Sequence, residues 1–599
     1  MQLDKSWNTV TRVISPKGQK KSKPSTMSAI PIPEARKREY LPKEFKLTVW
    51  SKIKPYYNEL EKRPIQSVAD LEQWISDKSE LEAIIAEAIA WRYIKITIDS
   101  RDQRAEELYQ YAVQELTPRI SSYDNKLNKK LIESEFVDHL NPDDYFIHIR
   151  AIKNALSLFT EDNIPLSTEV EMISKEYGKI FAEMTIGING KQMTLQKAGS
   201  LLEEPDRKYR EDIYHKINKR ILQDYQPIDE LFDQLLEKRH QIAINAGFEN
   251  FRDYKFNALG RFDYSVEDCF DFHNSIAKEV LPIINDIYQK RKETLKYETL
   301  RPWDLSVDMT SNTVLRPFDD VDELTEKSIQ CLNKLHPSFG KVIEIMRNMG
   351  HLDLDSRLSK RPGGYNMPLH ITGVPFIFMN ASNSLGDMRT LLHESGHAVH
   401  SYLTRDYKLA SAKRVPSEVA ELAAMSMELL TMEYWDVFFD NEEDLRRAKI
   451  NQLQNVLKIL PWIATIDKFQ HWIYTHPTHN AEERKEKWME ILTELSPDIV
   501  DCDGLEAYQE YIWHKQLHIF EVPFYYIEYG MAQLGALAIW KRYTEDPENT
   551  LEDYIKALKL GYTRPIGEIY QAAGISFDFS EAYVKDLVVF VKSEIDKLI

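Results

Sequence analysis

Residues 384–400 read SLGDMRTLLHESGHAVH, and this stretch contains the pattern His-Glu-x-x-His. A serine followed by an aspartate three residues later is typical of a helix N-terminus, so the sequence predicts a helix that begins here. On that helix His393 and His397 lie one turn apart and project from one face. Two imidazoles at this spacing can bind one Zn2+ ion, and Glu394 between them is placed to act on a metal-bound water.

The five-residue pattern is short enough to occur by accident. With 16 histidines in 599 residues, it would appear by chance in roughly 4% of such chains. The alternative interpretation is a solvated helix face with two unremarkable histidines. Because a catalytic zinc site needs a third protein ligand and an open position for water or substrate, the sequence context decides between the two.

A second helical stretch downstream offers three candidate carboxylates. Residues 416–430 read PSEVAELAAMSMELL, and Pro-Ser suits the beginning of a helix. Glu418, Glu421 and Glu428 fall within one stripe among valine, leucine, alanine and methionine. Carboxylates buried among apolar groups are costly unless they are paired or bound to a metal. The pattern therefore favours a stripe that faces a metal over a solvated one.

The positions that follow the motif separate the families of zinc peptidases. A metzincin has glycine and histidine where this chain has His400 and Leu403, so that class is excluded. The chain instead resembles peptidase family M3, the thimet oligopeptidase and oligoendopeptidase F group, in which H-E-x-G-H precedes a helix with two glutamates seven residues apart. The resemblance implies that Glu421 is the third zinc ligand and that Glu428 orients a ligand histidine. Glu418 is the alternative ligand, and His400 is either a group beside the ligands or a core histidine.

Two further segments extend the resemblance. Residues 363–365 and 375–380 are similar to the glycine-rich turn and strand that precede the zinc helix of oligoendopeptidase F, where a strand edge could pair with an extended peptide. Residues 518–530, HIFEVPFYYIEYG, resemble the late His/Tyr segment of the family, which faces the zinc and binds substrate. The residues that the resemblance implies in substrate binding are Gly364, Tyr365, Phe376, Phe378 and Tyr525.

The late segment also supplies candidate electrophiles. The resemblance implies Tyr526 in this role, with Tyr529 and His518 assisting. The interval from His518 to the tyrosines differs by one residue from the family pattern, so the choice of tyrosine stays open. The alternative is an aromatic helix stripe in the core.

The rest of the chain reads as mostly α. Apolar residues recur at helical spacing, as in 226–247, and few stretches alternate with period two. Strands are predicted at 365–371 and 374–380, which gives a small β-sheet beside the zinc helix. The resemblance implies a two-lobed helical zincin-like fold that encloses a deep substrate channel, with an N-terminal helical lobe at 27–200 and the catalytic region at 201–599.

Composition limits the partners and the compartment. The 77 Lys and Arg against 95 Asp and Glu give a net charge of −18, which disfavours nucleic acid and anionic membranes, and no apolar run is long enough to span a bilayer. The cysteines form no CxxC pair, which excludes a disulfide framework or a Cys-based zinc knuckle and indicates the cytoplasm. Residues 1–26, polar and rich in lysine, predict a disordered or non-native leader.

Together these features predict a zinc-dependent endopeptidase of short oligopeptides. One Zn2+ per chain would be held by His393, His397 and Glu421, with zinc-activated water as the nucleophile and Glu394 as the general base. The alternatives are a zinc carboxypeptidase or dipeptidyl carboxypeptidase of related helical fold, or a non-catalytic peptide-binding protein. The complete metal-binding set disfavours the last, since a scaffold has no evident need for it.

Overall fold

The computed structural model describes residues 31–599 except 310, 312, 358 and 362, so the leader predicted for residues 1–26 lies outside the described residues. The prediction of a mostly α fold is confirmed. The helices are Trp50–Lys62, Val68–Ile98, Gln103–Tyr111, Thr117–Ile132, Pro142–Leu158, Asn163–Glu183, Leu195–Gly199, Arg207–Leu222, Tyr225–Asn245, Phe251–Ala258, Val266–Ser275, Leu281–Leu295, Val321–Leu335, Pro337–Met349, Leu385–Leu403, Ala410–Lys413, Ser417–Thr431, Glu442–Thr475, Ala481–Glu494, Glu506–Gln509, Leu517–Glu521, Tyr526–Glu545, Pro547–Lys559, Ile566–Ala572 and Glu581–Leu598. The strands are Thr185–Ile188, Lys191–Thr194, Leu352–Asp355, Tyr365–Met367 and Phe376–Ala381.

The chain forms two compact units, each assembled from three stretches of sequence. Among the described residues, the first unit combines 31–156, 316–445 and 542–576. The second combines 157–315, 446–541 and 577–599. Neither unit is continuous in sequence, and the division into 27–200 and 201–599 stays a prediction.

A small sheet lies in the first unit, as predicted. Its central strand, Phe376–Ala381, pairs in parallel with Leu352–Asp355 and antiparallel with Tyr365–Met367. The strand predicted at 365–371 is shorter than expected, because Pro368 cannot donate a ladder hydrogen bond and Gly373, at a φ of +70°, turns the chain instead.

Two helices of the first unit carry the candidate metal ligands, and the first of them packs against this sheet. The motif helix, Leu385–Leu403, begins at the predicted capping box: Ser384 Oγ accepts from the Asp387 amide at 3.1 Å, and the Asp387 carboxylate accepts from the Ser384 amide at 2.9 Å. The glutamate helix, Ser417–Thr431, begins where predicted. The two helices pack against each other.

Gly396 explains how the motif helix and the glutamate helix pack so closely. A Cβ at this position would lie 2.6 Å from the carbonyl oxygen of Ala423 and 2.6 Å from the Cα of Ala424. Both are backbone atoms of the glutamate helix, so only glycine permits this contact. The glycine of the H-E-x-G-H pattern thus allows the helix that carries Glu421 to pack closely against the motif helix.

In the second unit, local signals in the sequence are also reproduced. The helix predicted at 226–247 is Tyr225–Asn245, and it ends before Gly247, whose φ is +84°. A turn at residues 189–190 joins the two strands of a β-hairpin, Thr185–Ile188 and Lys191–Thr194.

Candidate metal centre

The structure brings together three side chains predicted as metal ligands. His393 Nε2 lies 3.3 Å from Glu421 Oε2, and His397 Nε2 lies 3.7 Å from the same oxygen. The two imidazole rings are nearly perpendicular, with centroids 4.9 Å apart. One donor atom from each of the three residues lies within 4.8 Å of the other two. The motif helix and the glutamate helix therefore direct two imidazoles and one carboxylate at one point.

Glu428 holds the imidazole of His393 in place through Nδ1, the ring nitrogen that does not face Glu421. Its Oε1 lies 2.7 Å from Nδ1 of His393. A carboxylate at Nδ1 holds the proton on that nitrogen and leaves Nε2, which faces Glu421, as the metal-binding atom. Glu428 is placed seven residues after Glu421, two helical turns along the same face.

Glu394 lies near the charged side chains of this site but is not one of the three donors. The residue is 7% exposed, and its Oε2 has no hydrogen-bond partner among the described residues. Burial raises the pKa of Glu394 to about 7, and the negative charges of Glu421 and Glu428 act in the same direction. A buried carboxylate oxygen without a partner suits a base that takes a proton from water.

The carboxylates make this site attractive to a cation. Burial by itself would lower the pKa of His393, but hydrogen bonds to Glu421 and Glu428 outweigh it and raise the pKa well above its usual value. Burial lowers the pKa of His397 to about 4. The two carboxylates thus favour positive charge at His393, and two imidazoles with one glutamate form a donor set that zinc accepts.

The other two polar residues of these helices have different surroundings. Glu418 is buried outside the group of three donors, and its backbone carbonyl accepts a hydrogen bond from Tyr570 at 3.0 Å. His400 is buried, and burial lowers its pKa to about 3, so the imidazole is neutral. Of the two interpretations left open by the sequence, this placement favours a core histidine.

The predicted substrate-binding phenylalanines are placed in the core. Phe376 and Phe378 are each 1% exposed and pack in one apolar cluster. Tyr365 stacks on Phe378 at 4.9 Å, and its hydroxyl bonds the Thr97 hydroxyl at 2.6 Å. A core role is therefore favoured over the predicted contact of these rings with substrate. The strand Tyr365–Met367 lies at one edge of its sheet, so its contribution to a substrate site would be the main-chain groups along its outer side.

One further predicted residue, Gly364, and one residue that was not predicted, Asn366, also lie in this region. Gly364 lies against the central strand, and a Cβ there would be 3.4 Å from the Phe378 carbonyl oxygen. Asn366, which was not predicted, donates from Nδ2 to the backbone oxygen of Glu394 at 3.3 Å. Its place in the strand next to the motif helix was the available signal, but an asparagine in a strand has no distinctive pattern.

The late His/Tyr segment forms an aromatic cluster within the second unit. The His518 ring lies 4.7 Å from Tyr526 and 5.8 Å from Tyr529, and Tyr525 lies 5.3 Å from Tyr529. Gln516 Nε2 lies 2.6 Å from His518 Nδ1. Burial raises the pKa of Tyr526 to about 12, so its phenol keeps its proton at neutral pH. The roles implied for these residues stay predictions.

A helical chain with an HExxH helix and a glutamate from a second helix has the features of the HExxH metallopeptidases as a class. Comparison with known families narrows this class. Residues 200–589 match the model of Peptidase family M3, and residues 42–159 match the Peptidase M3 N-terminal domain. The chain belongs to peptidase family M3, as the resemblance predicted, and peptidases of this family depend on a metal ion.

Individual relatives agree with this assignment. The chain is 26% identical to the oligoendopeptidase F homolog of Borreliella burgdorferi over 63% of this chain and 64% of that protein. It is 24% identical to oligopeptidase PepF of Bacillus subtilis over 53% of this chain and 47% of that protein. The matched part is thus less than two thirds of the length of each relative.

Solved structures share the fold over nearly the whole chain. A structure of PZ peptidase A with an inhibitor superposes with a TM-score of 0.86 at 26% identity, over 91% of this chain and 97% of that one.

Among the described residues, no helix is both long and apolar enough to cross a membrane.

Proposed function

We propose that this protein is a zinc-dependent endopeptidase that hydrolyses peptide bonds in short oligopeptides. The observation that carries the proposal is the convergence of His393, His397 and Glu421 beside the buried, unpartnered oxygen of Glu394. Membership of family M3 and the similarity to oligoendopeptidase F homologues support it.

The donor set fits zinc in number and chemistry. His393, His397 and Glu421 would hold the ion as two imidazoles and one carboxylate, which leaves a position open for water or substrate. When bound, the zinc lowers the pKa of a water molecule and polarises the scissile carbonyl. The Glu428 carboxylate keeps His393 in the tautomer that presents Nε2.

The chain's own residues then move the proton and hold the peptide. Glu394 accepts a proton from the attacking water and passes it to the leaving amine. The edge of strand Tyr365–Met367 has main-chain groups that can pair with an extended peptide. The resemblance to the family further suggests Tyr526, assisted by Tyr529 and His518, as donors to the oxyanion, for which a protonated phenol is suited.

The decisive test replaces the base without removing the metal ligands. Glu394→Gln should retain zinc, and its kcat/KM on a quenched fluorescent peptide should fall on the order of 10²- to 10⁴-fold. Glu418→Gln, a matched change of a buried carboxylate outside the donor group, should leave kcat/KM near that of the parent. A Glu394→Gln protein that cleaves as fast as the parent, or a parent that binds no zinc, would overturn the proposal.

Product analysis separates the endopeptidase from its alternatives. Mass spectrometry of a defined peptide should show internal cuts. Release of single residues or dipeptides from the C-terminus alone would instead assign a carboxypeptidase or a dipeptidyl carboxypeptidase. Peptide binding without any product would assign a non-catalytic binding protein.

A further inference from the structure

The second unit contains a second cluster of metal-binding side chains. Helix Val266–Ser275 carries Cys269 and His273, and helix Glu442–Thr475 carries Asp467 and His471. In each pair the residues are four apart, so both side chains lie on one face of their helix. The two helices thus each present one pair to the same point.

Donor atoms of three of these side chains lie close together, and the fourth residue, His273, is hydrogen-bonded to Asp467. One donor atom from each of Cys269, Asp467 and His471 lies within 4.8 Å of the other two. His273 Nε2 lies 2.9 Å from Asp467 Oδ2, and His471 Nε2 lies 3.1 Å from the same oxygen. All four residues are at most 3% exposed.

Hydrogen bonds satisfy this buried cluster only in part. Asp467 Oδ1, His273 Nδ1 and His471 Nδ1 have no hydrogen-bond partner among the described residues. Buried polar atoms without a hydrogen-bond partner are costly, and binding of a cation by this group of donors would offset that cost.

We propose that Cys269, His273, Asp467 and His471 bind a second zinc ion that is structural. Zinc accepts cysteine, histidine and aspartate as ligands, and a closed structural site holds the ion tetrahedrally with four protein ligands. On binding, the Cys269 thiol, which donates to the Ser265 carbonyl oxygen at 3.4 Å, loses its proton to solvent and the Zn–S bond forms. The thiolate and the carboxylate then neutralise the two positive charges of the ion.

The surroundings of the cluster indicate a structural role. Rings of Phe256, Phe270 and Phe524 lie 5.7, 5.0 and 5.3 Å from the ring of His471. These apolar groups surround His471 and suit a structural site more than a catalytic one, which needs an open position for water. Zinc–ligand bonds of 2.0–2.3 Å place tetrahedral donors roughly 3.3–3.8 Å apart. This spacing lies between the 2.9 and 3.1 Å of the histidine–aspartate contacts and the 4.8 Å within which the Cys269, Asp467 and His471 donors lie.

Metal content tests the proposal directly. Protein purified from zinc-supplemented culture should contain two zinc ions per chain, and Cys269→Ser should contain one. Cys331→Ser is the matched control, since Cys331 is also buried but lies in the first unit outside both donor groups. It should keep two. His397→Ala should lose the other ion and retain the one held by Cys269.

Cobalt distinguishes the two centres by their ligands. Only the proposed second zinc centre has a thiolate ligand, that of Cys269. A thiolate gives bound Co2+ a charge-transfer band in the near ultraviolet. Protein produced with Co2+ should show this band, as should its His397→Ala and Cys331→Ser variants, whereas Cys269→Ser should lack it.

The outcomes separate this proposal from the proposed peptidase. A parent with one zinc per chain and no thiolate band overturns the second site, whether or not any variant folds, and leaves the peptidase untouched. Two zinc ions in folded Cys269→Ser would overturn it as well. Failure of the peptidase proposal would instead appear as zinc content unaffected by His397→Ala.

Discussion

Gly396 lies where the motif helix meets the glutamate helix, and Gly396→Ala should weaken the metal centre without altering a ligand. The added Cβ would lie 2.6 Å from the Ala423 carbonyl oxygen, whereas ordinary contacts begin near 3.4 Å. Because the clashing atoms are backbone, the two helices must separate by about 0.8 Å. Glu421, two residues before Ala423, moves with its helix away from His393 and His397.

The expected effect on function exceeds the effect on stability. Overpacking costs about 1–3 kcal/mol, but alanine is better than glycine in a helix by about 1 kcal/mol, so the net loss in the free energy of unfolding is about 0–2 kcal/mol. A metal site tolerates shifts of only about 0.2 Å in its ligand distances. A misplacement near 1 Å costs on the order of 10²-fold in rate.

We therefore expect Gly396→Ala to bind zinc about 10- to 100-fold more weakly and to lose a similar factor in kcat/KM. Zinc affinity is measured by competition with a chromophoric chelator, and kcat/KM with a quenched peptide. The control is Gly386→Ala in the same helix, where the Cβ would meet only the Ser384 hydroxyl at an ordinary 3.5 Å. Parent-like zinc affinity in Gly396→Ala would show that the close approach does not position Glu421.

Three further changes test the site and the core. Glu421→Ala should lose zinc while Glu418→Ala retains it, as measured by metal analysis, and the reverse ranking would identify Glu418 as the ligand. Glu428→Gln should weaken zinc binding about 10- to 100-fold because the amide holds His393 less firmly; unchanged affinity in a chelator competition would contradict this. Trp74→Ala should cost about 3–5 kcal/mol, because it empties a fully buried site and removes the bond to the Leu60 carbonyl oxygen at 2.8 Å; an unchanged thermal midpoint would refute it.

Much of the candidate centre follows from the sequence alone. His393 and His397 share a face because helix geometry brings residues four apart together, and the Ser384 capping box fixes where that helix begins. The Gly247 helix stop is equally local. Each of these features depends on residues within a few positions of one another, so periodicity and capping chemistry suffice to predict it.

Only the tertiary structure decided the contacts between distant segments. The stripe of glutamates did not by itself show that Glu421 meets the two histidines, since this depends on how closely Gly396 lets two helices pack. The sequence also gave no reason to pair Cys269 with Asp467, which is almost 200 residues away, because the cysteines form no CxxC pair. Local spacing fixes which face a side chain occupies, whereas its partner is set by the packing of elements that are remote in sequence.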